Sequence, residues 1–423
     1  MYRRFLFVLI PVLALSNVKT YANYQNDTLA LTLPAAEKIF LEKNLDLIAA
    51  QFNININQAY VQQARYWDNP VLNTDQNIYD GKFFRHTSDY GQVFIQIQQL
   101  IRTAGKRNKL ISLAKDGVSG AQQQFRDLMR NLQFLLRTDF YNLHQSLETN
   151  KVYSKEFDAL QKLVAGMDAQ LQSGNISLKE NIRIKSLLFS LQTDRADLQR
   201  QIEDLQKDIH VLLQLPIDTT VVPLLSSSVD FNPQNISITQ LLDSALLNRP
   251  DLQLAQTNLL TQQHNLSYQK SLAVPDLTIG TEYDQRSSYV QNYVGLAISL
   301  PLPILNTNKG NIKAASLGIN QAQVNMQQTK NQSEQEVIAA YKKLMIGYNQ
   351  QKQQPQEIAT QYDELLQKVI NSYEQRQIGL LEFIDFFDAY KESKIKWLQQ
   401  EASLRNATAE INFTTGTNII SSQ

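Results

Sequence analysis

Cysteine is absent from the 423-residue chain. Disulfides, thiolate metal sites, cysteine nucleophiles and lipid attachment at a cysteine are excluded with it. Charge of one sign is missing too: 40 acidic and 40 basic residues cancel, so no global field selects nucleic acid or an acidic substrate. The four histidines, His86, His144, His210 and His264, lie far apart along the chain. No nucleophile with a base, phosphate loop or metal-ligand cluster emerges, so no catalysis, cofactor or metal is expected. Beyond the N-terminal segment nothing approaches the run of about 18 apolar residues that a membrane helix needs.

The N-terminus, "MYRRFLFVLIPVLALSNVKTYAN", carries Arg3 and Arg4, an apolar core from Phe5 to Leu15 and a small residue at Ala22. This is the layout of a secretory signal peptide, expected over residues 1–22. The mature protein is then exported, and is either soluble or built into a membrane by something other than a helix.

The chain repeats itself. "NLDLIAAQ" at 44–51 matches "RPDLQLAQ" at 249–256, and Pro70 with Leu72 matches Pro275 with Leu277, both at an offset of 205. Gly174 and Gly379 share that offset, while the spacing drifts to about 201 between these anchors. Two structural repeats are expected, at 23–215 and 238–410, with a linker or equatorial segment at 216–237 and a tail at 411–423.

Each copy changes periodicity in the same order. "QVFIQIQQL", "DLTIGTEYD" and "YVGLAISL" alternate apolar with polar or small residues, the period of a half-buried strand. β-Hairpins are expected at about 71–100 and about 276–300. Long helices follow, at about 106–213 and about 312–410. In the first copy Ile184, Leu191, Leu198, Leu205 and Leu212 fall seven apart, with Leu188, Ile202 and Ile209 between them, a coiled-coil seam. No basic region precedes it, so a DNA-binding zipper is rejected.

Four amphipathic strands per chain could form a small soluble sheet, or could cross a membrane if several chains pooled them. Four alone cannot close a barrel, and lipid tolerates no open sheet edge. Three chains would supply twelve strands, an even number within the known range. From the residues alone both readings stand: a membrane tube, or a soluble periplasmic coiled-coil scaffold.

The duplication, together with "NRPDL" at 248–252, "LPLPIL" at 300–305 and "IGLLEFIDFFDA" at 378–389, resembles the TolC family of outer-membrane efflux proteins. "LIRTAGKRNKLI" at 100–111 is similar to a stretch of the CzcC/CusC-like heavy-metal branch. The resemblance implies a mainly α protein with a small membrane β-part. A homotrimer would form a 12-stranded β-barrel in the outer-membrane lipid, continuous with a periplasmic α-helical barrel. It also implies a passive exit duct of a tripartite efflux or type I secretion system. Its partners would be a periplasmic membrane-fusion adaptor and an inner-membrane pump of RND or ABC type. Many relatives are lipidated at an N-terminal cysteine, which this chain lacks.

Candidate sites follow. Gly174, Asn175, Ile176 and Ser177, and Gly379, Leu380 and Leu381, are expected at two helix–helix turns that dock the adaptor, each glycine in the left-handed conformation. Asp385 and Asp388 lack partners for catalysis or chelation within one chain. They read either as a solvated helix face or, through threefold symmetry, as two carboxylate rings at the pore entrance. Their counterparts in the first copy are Glu180 and Arg183 at the shared offset, so any rings come from the second copy. Arg376 and Tyr373 are candidate latches of that gate. Val93, Ile95, Ile97, Leu277, Ile279, Val294, Leu296 and Ile298 are expected to face lipid, and Gln96, Gln98, Thr278 and Glu282 the lumen. Trp67, Tyr79, Tyr283 and Tyr293 suit an interfacial girdle.

Overall fold

The computed structural model describes residues 27–87, 90–225, 233, 236–287, 290–353 and 356–420. The expected signal peptide lies outside them. The first copy runs β1 (Asp27–Thr32), α1 (Leu33–Lys43), α2 (Leu45–Arg65), β2 (Val71–Gln76), β3 (Val93–Ile101), α3 (Lys106–Gln172) and α4 (Leu178–Leu213). After β4 (Thr219–Leu224) the second runs α5 (Ile238–Asn248), α6 (Pro250–Leu272), β5 (Leu277–Arg286), β6 (Gln291–Ser299), α7 (Lys309–Gln353), α8 (Gln356–Glu374) and α9 (Leu380–Thr415). Among the described residues no helix is long and apolar enough to cross a membrane.

The molecule is a rod with a sheet at one end. Helix α3, 67 residues long, spans about 100 Å. Its half nearer the sheet packs against α2 and α6, and its far half against α4 and α9. The expected leucine seam faces α3: Ile184, Leu191, Leu198, Ile202, Ile209 and Leu212 are buried. Arg195 breaks the seam and lies over the Phe157 ring, 4.8 Å from its centroid.

In the second copy the outgoing rod is α7 followed by α8, and α9 alone returns. The reversal sits at residues 375–379, at the turn expected around Gly379.

The two copies use one joint in two chemistries. Asn44, buried before α2, caps it by accepting from the Leu47 amide at 3.1 Å. Its Nδ2 donates to the carbonyl of Leu212 at the end of α4, at 3.0 Å. At the offset of 205 stands Arg249, also buried, which donates to the Thr414 carbonyl at the end of α9 at 3.2 Å. It pairs as well with Asp251 at 2.6 Å and Glu336 at 2.8 Å. Each joint seats a short upper helix on the end of a long lower one, so the rod reads as continuous.

Around the Asn44 joint lies the largest core among the described residues, built from Leu31, Phe40, Leu136, Phe140, Leu213 and Val221 with their neighbours. It includes two strands that alternation did not reveal. β1 and β4 pair in parallel, from Asp27 opposite Thr219 to Thr32 opposite Leu224, so the segment expected as a linker carries a strand.

Candidate functional site

Two places carry the functional residues: the four-stranded sheet and the far tips of the helical hairpins. The sheet runs β2-β3-β5-β6, antiparallel throughout. Residues paired across strands share a face. Register places Leu72, Ile95 and Tyr283 on the same face as Val93, Ile97, Leu277, Ile279, Val294, Leu296 and Ile298. All eight residues expected to face lipid are thus on one side, where Ile95, Ile97, Val294, Leu296 and Ile298 are exposed. Asn73, Gln96, Gln98, Thr278 and Glu282 are on the other. There the Gln96 amide donates to Glu282 at 2.8 Å, and Asn73 donates to Gln96 at 3.3 Å. This sheet is inside out for a soluble protein, with apolar side chains exposed and polar ones bonded to each other.

Aromatic residues mark both ends of it. Trp67 is exposed, with the Arg107 guanidinium 4.5 Å from its ring centroid. At the other end Tyr79 and Phe83 lie 5.0 Å apart, both exposed, and Tyr283 donates to Asn292 at 2.8 Å.

At the far end the first turn closes as a Schellman motif. The amide of Asn175 donates to the Gln170 carbonyl at 2.9 Å and that of Gly174 to Leu171 at 3.0 Å, with Gly174 at φ +75°. Ser177 then caps α4 through a reciprocal box with Glu180. The second turn makes the same bonds, from Gln377 to Ser372 at 2.8 Å and from Arg376 to Tyr373 at 2.9 Å. The left-handed residue there is Arg376, at φ +57°. Gly379 has φ −81° and caps α9, so it is the counterpart of Ser177 and not of Gly174. The expected glycine pairing is corrected to an offset of 202, which also aligns Ile176 with Ile378, both packed into the tip core. At that offset Asp385 and Asp388 correspond to Arg183 and Ser186.

The tips touch each other: Arg376 Nη2 donates to the Asn175 carbonyl at 3.2 Å. Tyr373 stacks on Phe383, with centroids 4.9 Å apart, and its hydroxyl lies 3.9 Å from Met167 Sδ. Burial pushes its phenol pKa up. Leu380 is half-buried, whereas Leu381 and Leu178 are exposed at the rim. Leu178 was not anticipated; its place one residue after the cap was the available signal.

Asp385 is exposed on α9. Asp388 lies 3.6 Å from Lys391, which is also 3.6 Å from Asp194 on α4. Beside this group sits a residue that sequence reading missed. Glu156 of α3 is fully buried, with neither carboxylate oxygen hydrogen-bonded. Burial, opposed by Lys391 and reinforced by Asp388 and Asp194, raises its pKa to about 8. Among the described residues no cluster of three or more His, Cys, Asp or Glu could hold a metal ion.

The profile of the family described as "Outer membrane efflux protein" matches residues 38–213, the first copy. That match ties the first copy of this chain to the outer membrane efflux proteins. It is similar to the cobalt-zinc-cadmium resistance protein CzcC of Cupriavidus metallidurans, 21% identical over 293 residues that cover 69% of this chain and 68% of that one. Its fold matches that of CusC with a TM-score of 0.72 at 16% identity, over 91% of this chain and 92% of the other. The Campylobacter jejuni CmeC outer membrane channel matches with a TM-score of 0.73 at 14% identity, over 92% and 87% of the two chains. The profile match and the shared fold together support an outer-membrane exit duct over a soluble scaffold and over an enzyme.

Proposed function

We propose that three copies of this chain form one exit duct, a 12-stranded barrel opening into a helical tube through the periplasm. The observation that carries this is the sheet: its outer strands β2 and β6 have no further strand beside them among the described residues, and its exposed face is apolar. Edges left open in lipid are untenable, and pairing β6 of one copy with β2 of the next removes all of them.

The tips, with Gly174, Asn175, Ile176, Ser177, Gly379, Leu380 and Leu381, dock a periplasmic adaptor that couples the duct to an RND or ABC pump. Asp385 and Asp388 form threefold carboxylate rings at the entrance, and the Arg376–Asn175 bond with the Tyr373 stack holds each pair of tips closed. Such rings favour cations over anions. Relatives are named for cobalt, zinc and cadmium in one case and for pyoverdine in another, so cargo is set by the pump. The polar lumen face of Gln96, Gln98 and Thr278, with the carboxylate of Glu282, suits hydrated cargo.

The test is single-channel recording in planar bilayers. Asp385→Asn/Asp388→Asn should lower the cation-over-anion permeability ratio several-fold while leaving trimers intact. An unchanged ratio would remove the aspartates from the gate.

A further inference from the structure

The two copies join sheet to helix differently. β3 reaches α3 through residues 102–105, whereas β6 reaches α7 through residues 300–308. The longer junction begins with "LPLPIL", and its side chains are unusually bare: Leu302 is 68% exposed, Ile304 76% and Leu305 99%. Four exposed aliphatic residues in six are a patch that water penalises.

The patch continues an existing surface. Val294, Leu296 and Ile298 occupy alternate positions on the outward face of β6; Leu300 and Leu302 keep that spacing beyond the last ladder pair at Ser299, and exposed Ile304 and Leu305 follow at the turn. Pro301 and Pro303 bring no N–H groups, and the chain makes a γ-turn at Pro303. The Ile304 amide is used locally, donating to the Leu302 carbonyl at 2.9 Å. The segment thus exposes few unbonded donors, which is what an apolar surrounding requires. Immediately afterwards the charge changes. Lys309 and Lys313 are exposed on the first turns of α7. A run of aliphatic side chains ending in lysines matches the acyl-to-phosphate gradient at a bilayer surface.

We propose that residues 300–305 are a membrane anchor lying in the periplasmic leaflet of the outer membrane, with Leu300, Leu302, Ile304 and Leu305 among the acyl chains and Lys309 and Lys313 at the lipid phosphates. The anchor rests on the duct reading, because it extends the barrel's lipid-facing stripe. It gives the trimer three apolar feet at the barrel rim, where tilting of the long helical tube would otherwise be resisted by the strands alone.

The absence of cysteine makes a direct test clean. Leu302→Cys and Leu305→Cys, each carrying a nitroxide label, are reconstituted in vesicles of phosphatidylethanolamine and phosphatidylglycerol, with Ile298→Cys as the reference on the strand. Collision rates with oxygen, which partitions into lipid, and with a water-soluble nickel chelate are compared. Labels at 302 and 305 should resemble that at 298, with oxygen collisions dominating. Nickel collisions dominating at 302 and 305, with oxygen dominating at 298, would place the segment in water and overturn the anchor alone. Low collision rates with both reagents would mean that a neighbouring copy covers it, again overturning the anchor. A label at 298 reached by nickel would instead overturn the duct reading itself.

Discussion

Glu156 shows what a single buried group does to this protein. Its ordinary pKa of 4.5 rises to about 8, because the enclosed site has no hydrogen-bond donor for the ionised form. The folded chain therefore keeps a proton that the unfolded chain releases, and stability falls as pH rises from about 4.5 towards 8. Roughly 3 kcal/mol is forfeited by pH 7. Glu156→Gln keeps the shape and removes the titration, so it should raise the melting temperature at pH 8 and flatten its pH dependence. Thermal melts followed by circular dichroism between pH 5 and 8 measure this, and equal melts of both proteins at pH 8 would contradict it. Arg376 carries a different burden, a side chain in the left-handed region that costs about 1 kcal/mol. Arg376→Gly and Arg376→Ala both lose the bond to Asn175, but only the first relieves the strain. The glycine variant should be the more stable by about 1 kcal/mol, and Gly174→Ala should be destabilised by a similar amount. Urea melts of the three variants decide, and no gap between the Gly and Ala variants would refute the strain.

Among the elements, the joints between upper and lower helices bear most of the architecture. Arg249 bridges Asp251, Glu336 and the end of α9 from a buried position. Arg249→Ala strands two carboxylates and a carbonyl, at a cost of about 3 kcal/mol. Asn44→Ala should cost less, about 1–2 kcal/mol, since it loses a cap and one hydrogen bond. Comparison of the two melting temperatures measures the order. Sequence made the rods and the membrane strands legible because their signals are local: a heptad every two turns, and alternation every second residue. The parallel β1–β4 pair was not legible, because its strands lie nearly two hundred residues apart with no turn between them to announce pairing. The second tip was half legible. Gly379 drew attention as a glycine between helices, but a helix ends where its last carbonyls find donors, and that placed Arg376 in the left-handed position.

At the scale of the whole molecule, the sheet decides what the chain is for. An exposed apolar face, a bonded polar face and, among the described residues, two open edges are what the proposed closure of copies around an axis within lipid requires. Leu296→Arg on the outward face should therefore cost about 2–4 kcal/mol of membrane folding, whereas Gln98→Arg on the inward face should be tolerated. The fraction of protein that resists heat dissociation on gels reports both. The duplication fits the proposed duct, since two copies in each of three chains would give a tube of six similar hairpins with their tips at one rim. The most direct test is the native mass of the protein extracted from the membrane fraction in detergent. The account predicts three chains in one particle, dissociating together. A monomer or dimer recovered without detergent would contradict it.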